Sequence, residues 1–344
     1  MSYAKYAFIS AYLKGEETKV VTSDHIDRMS KASDIQDALE AIRESDIGSY
    51  LEELTVKTFA DVDEYLWRYF AQRVNDIESF KFLPGDVLKV SRAYIAKYDV
   101  LNIKAALQNI STHKKSHMIP VGIMHNNGLL AQLSTVENRG DIIELLVRCK
   151  LGNYMPALEG YEAAGGAKSK LLVEARLDSE YCKSMLNMAR GIKDGSVLSE
   201  AFGLIIDLTN LRIASRAIIE GIGLDAAEGT IPGGYMITDK AVRDVLSSKL
   251  SDMPQRIENA QYRHIAEEIL GSYDKTKSIT AVEEIIDKHK FRLLKEILSP
   301  RVLSPLVMAW YLILKEFEIR NLRLIMKAIA DGVPTEEIRT YLAF

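Results

Sequence analysis

The sequence predicts an all-α fold built from three pseudo-equivalent helical repeats. Apolar residues recur at helical spacing, as Ile35, Leu39, Ile42 and Ile47 do within 34–54 and Ile142, Leu145 and Leu146 do within 141–151. No sustained run of alternating β-branched residues appears, which argues against a large sheet. One signature returns three times: an acid, an asparagine three residues on, an aliphatic residue, then a base. It reads Asp99-Val100-Leu101-Asn102-Ile103-Lys104, Asp207-Leu208-Thr209-Asn210-Leu211-Arg212 and Glu318-Ile319-Arg320-Asn321-Leu322-Arg323. The interval from Asn102 to Asn210 nearly equals that from Asn210 to Asn321, and it is more than twice a solenoid unit of about 20–50 residues. Such a period marks triplication of a small domain.

Further anchors keep the same order. Tyr50, Tyr154 and Tyr262 precede Asn102, Asn210 and Asn321 by similar intervals. Ile119-Pro120-Val121-Gly122-Ile123-Met124 and Ile231-Pro232-Gly233-Gly234-Tyr235-Met236 open the second and third copies, set apart by close to the same period. Thr22, Ser23 and Asp24 form an N-cap cluster ahead of the 34–54 segment, and Thr238 and Asp239 serve the third copy in the same way. The helix bearing Asn102 fades into a polar joint at 111–116. Those bearing Asn210 and Asn321 stop at Gly221 and Gly332, each equally far past its asparagine. The expected domains are 1–116, 117–228 and 229–344.

An asparagine inside a helix competes with the backbone for hydrogen bonds, so its return at three equivalent places implies a fixed bonding task. Residues three apart share a helix face. Asp99 with Asn102, Asp207 with Asn210 and Glu318 with Asn321 are therefore the expected structural clamps, tying each helix to others of its own domain. A polar pocket for a partner or ligand is the alternative. The bases Lys104, Arg212 and Arg323 face another side and are candidate interface residues.

Bulk composition sets limits on function. A formal net charge of −4 gives no footprint for nucleic acid. Two cysteines, Cys149 and Cys182, fit a reducing compartment and exclude a disulfide framework. The amino terminus lacks the apolar core and cleavage site of a signal peptide. The longest uncharged apolar stretch, 302–314, falls well short of the roughly 20 residues that a membrane span needs. The expectation is a soluble chain whose tie to a membrane passes through a protein partner.

No catalytic constellation emerges. The stretch 160–169 resembles a phosphate loop, but Gly166 and Ala167 separate Gly165 from Lys168, and no strand precedes it. His113 and His117 have the spacing of a helical metal pair but lie in a polar joint with no third ligand. Glu267-Glu268 and Glu283-Glu284 read as solvated faces. Neither cysteine has a histidine nearby in sequence. The expectation is no catalytic residue, no metal and no cofactor.

Taken together, the three asparagine helices, the joint Ile231-Pro232-Gly233-Gly234 and the closing Gly332-Val333-Pro334-Thr335-Glu336-Glu337-Ile338-Arg339 make the chain resemble a known family. It is similar to the C subunits of archaeal A-type and bacterial V-type ATP synthases, relatives of the vacuolar ATPase d subunit. The resemblance runs through essentially the whole chain, although the first copy carries Gln108-Asn109 where the others have a base. It implies a funnel of three helical domains about a pseudo-threefold axis, seated peripherally on the cytoplasmic face of the cell membrane. It further implies a non-catalytic, cofactor-free rotor adapter between a central stalk of D and F subunits and the membrane proteolipid ring. A free-standing helical scaffold and a helical enzyme with an inter-domain site are the competing expectations.

Overall fold

The computed structural model describes residues 3–161 and 166–344, and every regular element among them is helical. Two compact units are present: one of Met1–Ser91, Ile192–Asp194 and Phe291–Phe344, the other of Arg92–Gly191 and Gly195–Lys290.

The first unit holds α1 (Ala7–Glu17), α2 (Ser23–Met29), α3 (Ile35–Glu40), α4 (Asp46–Glu52), α5 (Phe59–Glu78), the first turns of α6 (Gly85–Thr112) and, later in the chain, a long helix at Leu306–Asp331. That late helix is the hub of the unit, packing against α5, α1 and α3. It is buried nearly all round and apolar on every side in its first half: Met308, Trp310, Tyr311, Leu312, Phe317, Ile319, Leu322, Ile325 and Met326 are all buried. A helix without a polar face belongs in an interior. No described helix is long and apolar enough to cross a membrane.

The 34–54 segment does not run as one helix. It breaks into α3 and α4 because Ser45 caps α4, accepting from the Gly48 N–H at 3.0 Å while its hydroxyl donates to the Ile42 carbonyl at 2.7 Å. Gly48 makes the break possible, since a Cβ there would lie 1.9 Å from the Ile42 oxygen. Thr22 caps α2 in a reciprocal arrangement with His25, whereas Asp34 caps α3.

The second unit contains the rest of α6, then α7 (Ile123–Asn126), α8 (Leu130–Leu133), α9 (Arg139–Arg148), α10 (Gly166–Ala189), α11 (Gly195–Ile219), α12 (Asp239–Leu246), α13 (Ala260–Thr276) and most of α14 (Ile279–Leu298). The late helix of the first unit is then α15, followed by the short α16 (Thr335–Ile338). At the centre α10 packs along α11, whose Leu198, Phe202, Ile206, Leu208, Leu211 and Ile213 are buried. Asn138 caps α9 reciprocally with Asp141, and Thr238 caps α12 through the Ala241 N–H at 3.2 Å. Helix α9 stops at Arg148, short of the predicted 151, because Lys150 turns left-handed and the Leu151 N–H bonds back to Leu146.

The three asparagine helices end alike. Gly221 and Gly332 take left-handed geometry, and the following amides, Ile222 and Val333, bond five residues back to Ala217 and Ala328. In α6 the position equally far past Asn102 is His113, which adopts φ 55°. His113 is thus a helix terminator in its own right. Residues 162–165 of the phosphate-loop resemblance lie outside the described residues.

Candidate functional site

The acid–asparagine pairs sit on α6, α11 and α15, and all six side chains are buried. Each asparagine forms a reciprocal pair with one backbone residue. Asn102 Oδ1 accepts from the Ile119 N–H at 2.8 Å while its Nδ2 donates to the Ile119 carbonyl at 2.9 Å. Asn210 does the same with Ile231 at 2.8 Å in both directions. Asn321 does it with Ala343 at 3.0 and 2.6 Å. A side-chain amide offers donor and acceptor in fixed geometry, so it mimics a peptide group and satisfies both backbone groups of a buried residue. That match explains why the position is asparagine.

The acids grip the segment beyond. Asp99 accepts from the Ile123 and Met124 amides, both at 2.8 Å. Asp207 accepts from Met236 at 2.7 Å and Ile237 at 3.2 Å. Glu318 accepts from the Val21 amide at 2.7 Å. With the copies bounded as the sequence suggests, each acid holds the opening segment of another copy, not the helices of its own. The first copy grips the second, the second grips the third, and Glu318 in the third returns to residue 21 of the first. The joint glycines follow from this. A Cβ at Gly122, whose φ is 106°, would come within 2.7 Å of the Asp99 carboxylate, and one at Gly234 within 2.1 Å of Asp207 Oδ1.

Burial shapes the electrostatics. It pushes the Asp99 carboxyl up to about 6 against the pull of its two amide donors, and it raises Asp207 as well. Tyr154 stands beside Asp99 and Tyr262 beside Asp207. Burial first, and then the neighbouring carboxylate, lifts each phenol. The tyrosine anchors do not mark one equivalent element: Tyr50 lies in α4, Tyr154 in a 3₁₀ turn at Gly152–Leu158, and Tyr262 in the first turn of α13.

The third clamp contains a group that sequence reasoning missed. Lys315, fully buried, donates to Glu318 at 3.0 Å and to the Tyr69 hydroxyl at 2.9 Å, and Tyr69 in turn bonds Asp46. The equivalent positions in the other copies are Ala96 and Leu204. The signal was a lysine three residues before an acid, directly after the apolar run 306–314.

The three bases engage acids of the chain itself. Lys104 and Arg212 share Asp178, and Arg323 pairs with Asp63 through two nitrogens. Lys104, Arg212, Arg216, Glu174, Asp178 and Glu283 line one cleft of about 170 Å³. Burial opposes the Arg212 charge, but Asp178, Asp287, Glu283 and Glu174 outweigh it and raise its pKa. Both cysteines are buried, and burial pushes Cys182 up to about 12, far from thiolate chemistry. Among the described residues, no group of three or more His, Cys, Asp or Glu is placed to hold a metal ion.

Similarity to known proteins extends along nearly the whole chain. The family described as ATP synthase (C/AC39) subunit matches residues 9–341. The A-type ATP synthase C subunit of Methanocaldococcus jannaschii is 25% identical, with 98% of this chain and 86% of the relative covered. Its counterpart in Pyrococcus abyssi is 25% identical over 98% of this chain and 90% of its own length. That of Thermococcus onnurineus is 24% identical, with 98% and 90% covered.

Proposed function

This chain belongs to the ATP synthase (C/AC39) subunit family, and on that premise we propose that it is the non-catalytic rotor adapter of an A/V-type rotary ATP synthase. It would couple a central stalk of D and F subunits to the membrane proteolipid ring and carry torque between them. It would sit peripherally on the cytoplasmic face and reach the membrane only through those proteins. The observation that carries the reading is similarity to A-type ATP synthase C subunits over 98% of the chain.

The clamps fit such a task physically. An adapter under torque must not let its segments slide, and close-packed interiors transmit strain because they deform little. Each clamp adds directional bonds from a buried helix to the opening of another copy. Sliding would leave backbone groups unsatisfied at about 1–3 kcal/mol each. In this reading Asp99, Asn102, Asp207, Asn210, Glu318 and Asn321 are the structural clamps of three domains, 1–116, 117–228 and 229–344, arranged as a funnel. Lys104, Arg212 and Arg323, each already paired with an acid of the chain itself, are the candidate interface residues for the stalk.

Native mass spectrometry of a tagged copy from gently solubilised membranes tests this. One copy per assembly, with proteolipids and stalk subunits, is the expected result. Recovery of the tagged chain alone, from membranes whose rotary complex stays intact, would overturn the adapter and favour a free scaffold.

A further inference from the structure

A groove of about 590 Å³ opens in the first unit, walled by Phe8, Ile9, Phe82 and Pro84 with Gly85 and Lys5 at its edge. Its walls are uncommonly exposed for aromatic side chains: Phe82 is 91% and Phe8 60% accessible. Phe8 is nonetheless held in place, packed edge-on against Phe80 at 5.4 Å, which in turn packs on Tyr12 at 4.9 Å. The outer face of α1 continues the apolar surface. Ala7, Phe8, Ala11 and Gly15 are all exposed, and a Cβ on Gly15 would meet nothing within 4 Å.

Basic residues stand on or next to the segments that line the groove. Lys5 pairs with Asp86 at 3.1 Å, and the same carboxylate also takes the Tyr6 hydroxyl. Lys81, next to Phe82, and Lys89, one turn beyond Gly85 on α6, are exposed and have no ion-pair partner among the described residues. The acids at the end of α5 are engaged, Asp76 by Arg73 and Glu78 by Ser91. Three lysines thus accompany the lining segments, against one committed carboxylate.

We propose that this groove is the docking site for an amphipathic α-helix of a partner subunit, with an apolar stripe between the two phenylalanines and acidic residues along its flank. The proposal rests on the assembly reading above and names a surface for it. A helix suits the site better than a bilayer does. Small residues along α1 let a second backbone approach closely, a fit that serves a helix and that a lipid surface does not need. The concave floor receives the anchor residues of a helix in the usual groove-binding mode, and the lysines select acidic partners.

The test uses the full-length chain added back to a rotary complex purified from cells lacking it, and separately to vesicles of phosphatidylglycerol in phosphatidylcholine. Phe82→Ser combined with Lys81→Glu should weaken retention on the complex by at least about tenfold, as expected for an exposed aromatic anchor and its neighbouring charge. Gly15→Leu, which fills open space, should weaken retention without changing the circular dichroism spectrum. A photo-crosslinking phenylalanine analogue at position 82 should label an acidic helical segment of a protein subunit. If the variants are retained like the wild type, the groove is not the docking site and the assembly reading stands. If the wild type itself is not retained, both fall. Vesicle binding that the variants lose, with retention on the complex unchanged, overturns the helix in favour of a membrane.

Discussion

Replacing Asn210 with alanine tests the clamp most directly. Asn210 is 1% exposed, and so is Ile231, whose N–H and carbonyl it satisfies at 2.8 Å each. Alanine removes both partners and offers neither a donor nor an acceptor. Each unsatisfied buried group costs about 1–3 kcal/mol. A water entering the vacated space recovers part of that, so the expected loss is about 2–4 kcal/mol. Because the two compact units need not unfold as one, the assay should be local. Native-state hydrogen exchange reads the Ile231 amide itself, and its protection should fall roughly 30- to 1,000-fold, at tenfold per 1.4 kcal/mol. Asn210→Asp keeps the acceptor for the Ile231 N–H but sets a carboxylate oxygen against its carbonyl, so it should be no milder at neutral pH. A loss below about 0.5 kcal/mol, the scale of an ordinary surface change, or an Ile231 amide exchanging as slowly as before, would sink the clamp.

Gly234→Ala should destabilise by about 1–3 kcal/mol through overpacking, since its Cβ falls 2.1 Å from Asp207 Oδ1. In an Asp207→Ala background the same change should cost less, and simple additivity in urea unfolding would contradict this origin. Asp99 supplies a pH dependence. Its folded pKa of about 6 lies above the ordinary 3.8, so the folded chain binds that proton more tightly than the unfolded chain does. The resulting stabilisation is full below pH 3.8, is lost as pH rises through about 6, and amounts to about 3 kcal/mol. Unfolding of the wild type and Asp99→Asn near the two ends of that window should show the gap shifting toward the variant as pH rises; a constant gap would refute it. His113→Gly should stabilise by about 1 kcal/mol, because only glycine takes that left-handed position without Cβ strain. An unchanged or lower midpoint would show that the histidine side chain has a task of its own.

The all-helical class was legible in the sequence because helical periodicity is a local pattern, readable within two or three turns. The repeat was legible because identical side chains in buried, bonded positions leave a spaced signature. Asn102, Asn210 and Asn321 stood out for the same reason, as residues that a helix interior does not favour. The ends of α11 and α15 were readable from Gly221 and Gly332. The end of α6 was readable as the polar joint at 111–116, but its terminator was not, because a histidine in left-handed geometry carries no local mark. Likewise the break between α3 and α4 depends on Ser45 and Gly48 meeting Ile42, a contact that the apolar spacing of 34–54 conceals.

Chain order alone thus settles the helices, the threefold recurrence and which side chains carry an obligatory bonding task. Their partners were settled by packing in three dimensions. Asn321 pairs with Ala343 and Glu318 reaches Val21, far away in the chain, through a backbone amide that has no residue-specific signature. Lys315 is buried among partners from α5 and α15, and Lys104 and Arg212 converge on Asp178 from different helices. Local propensity follows from neighbours in the chain. A backbone group that accepts a clamp is chosen by packing, and packing brings together residues that the chain order keeps apart.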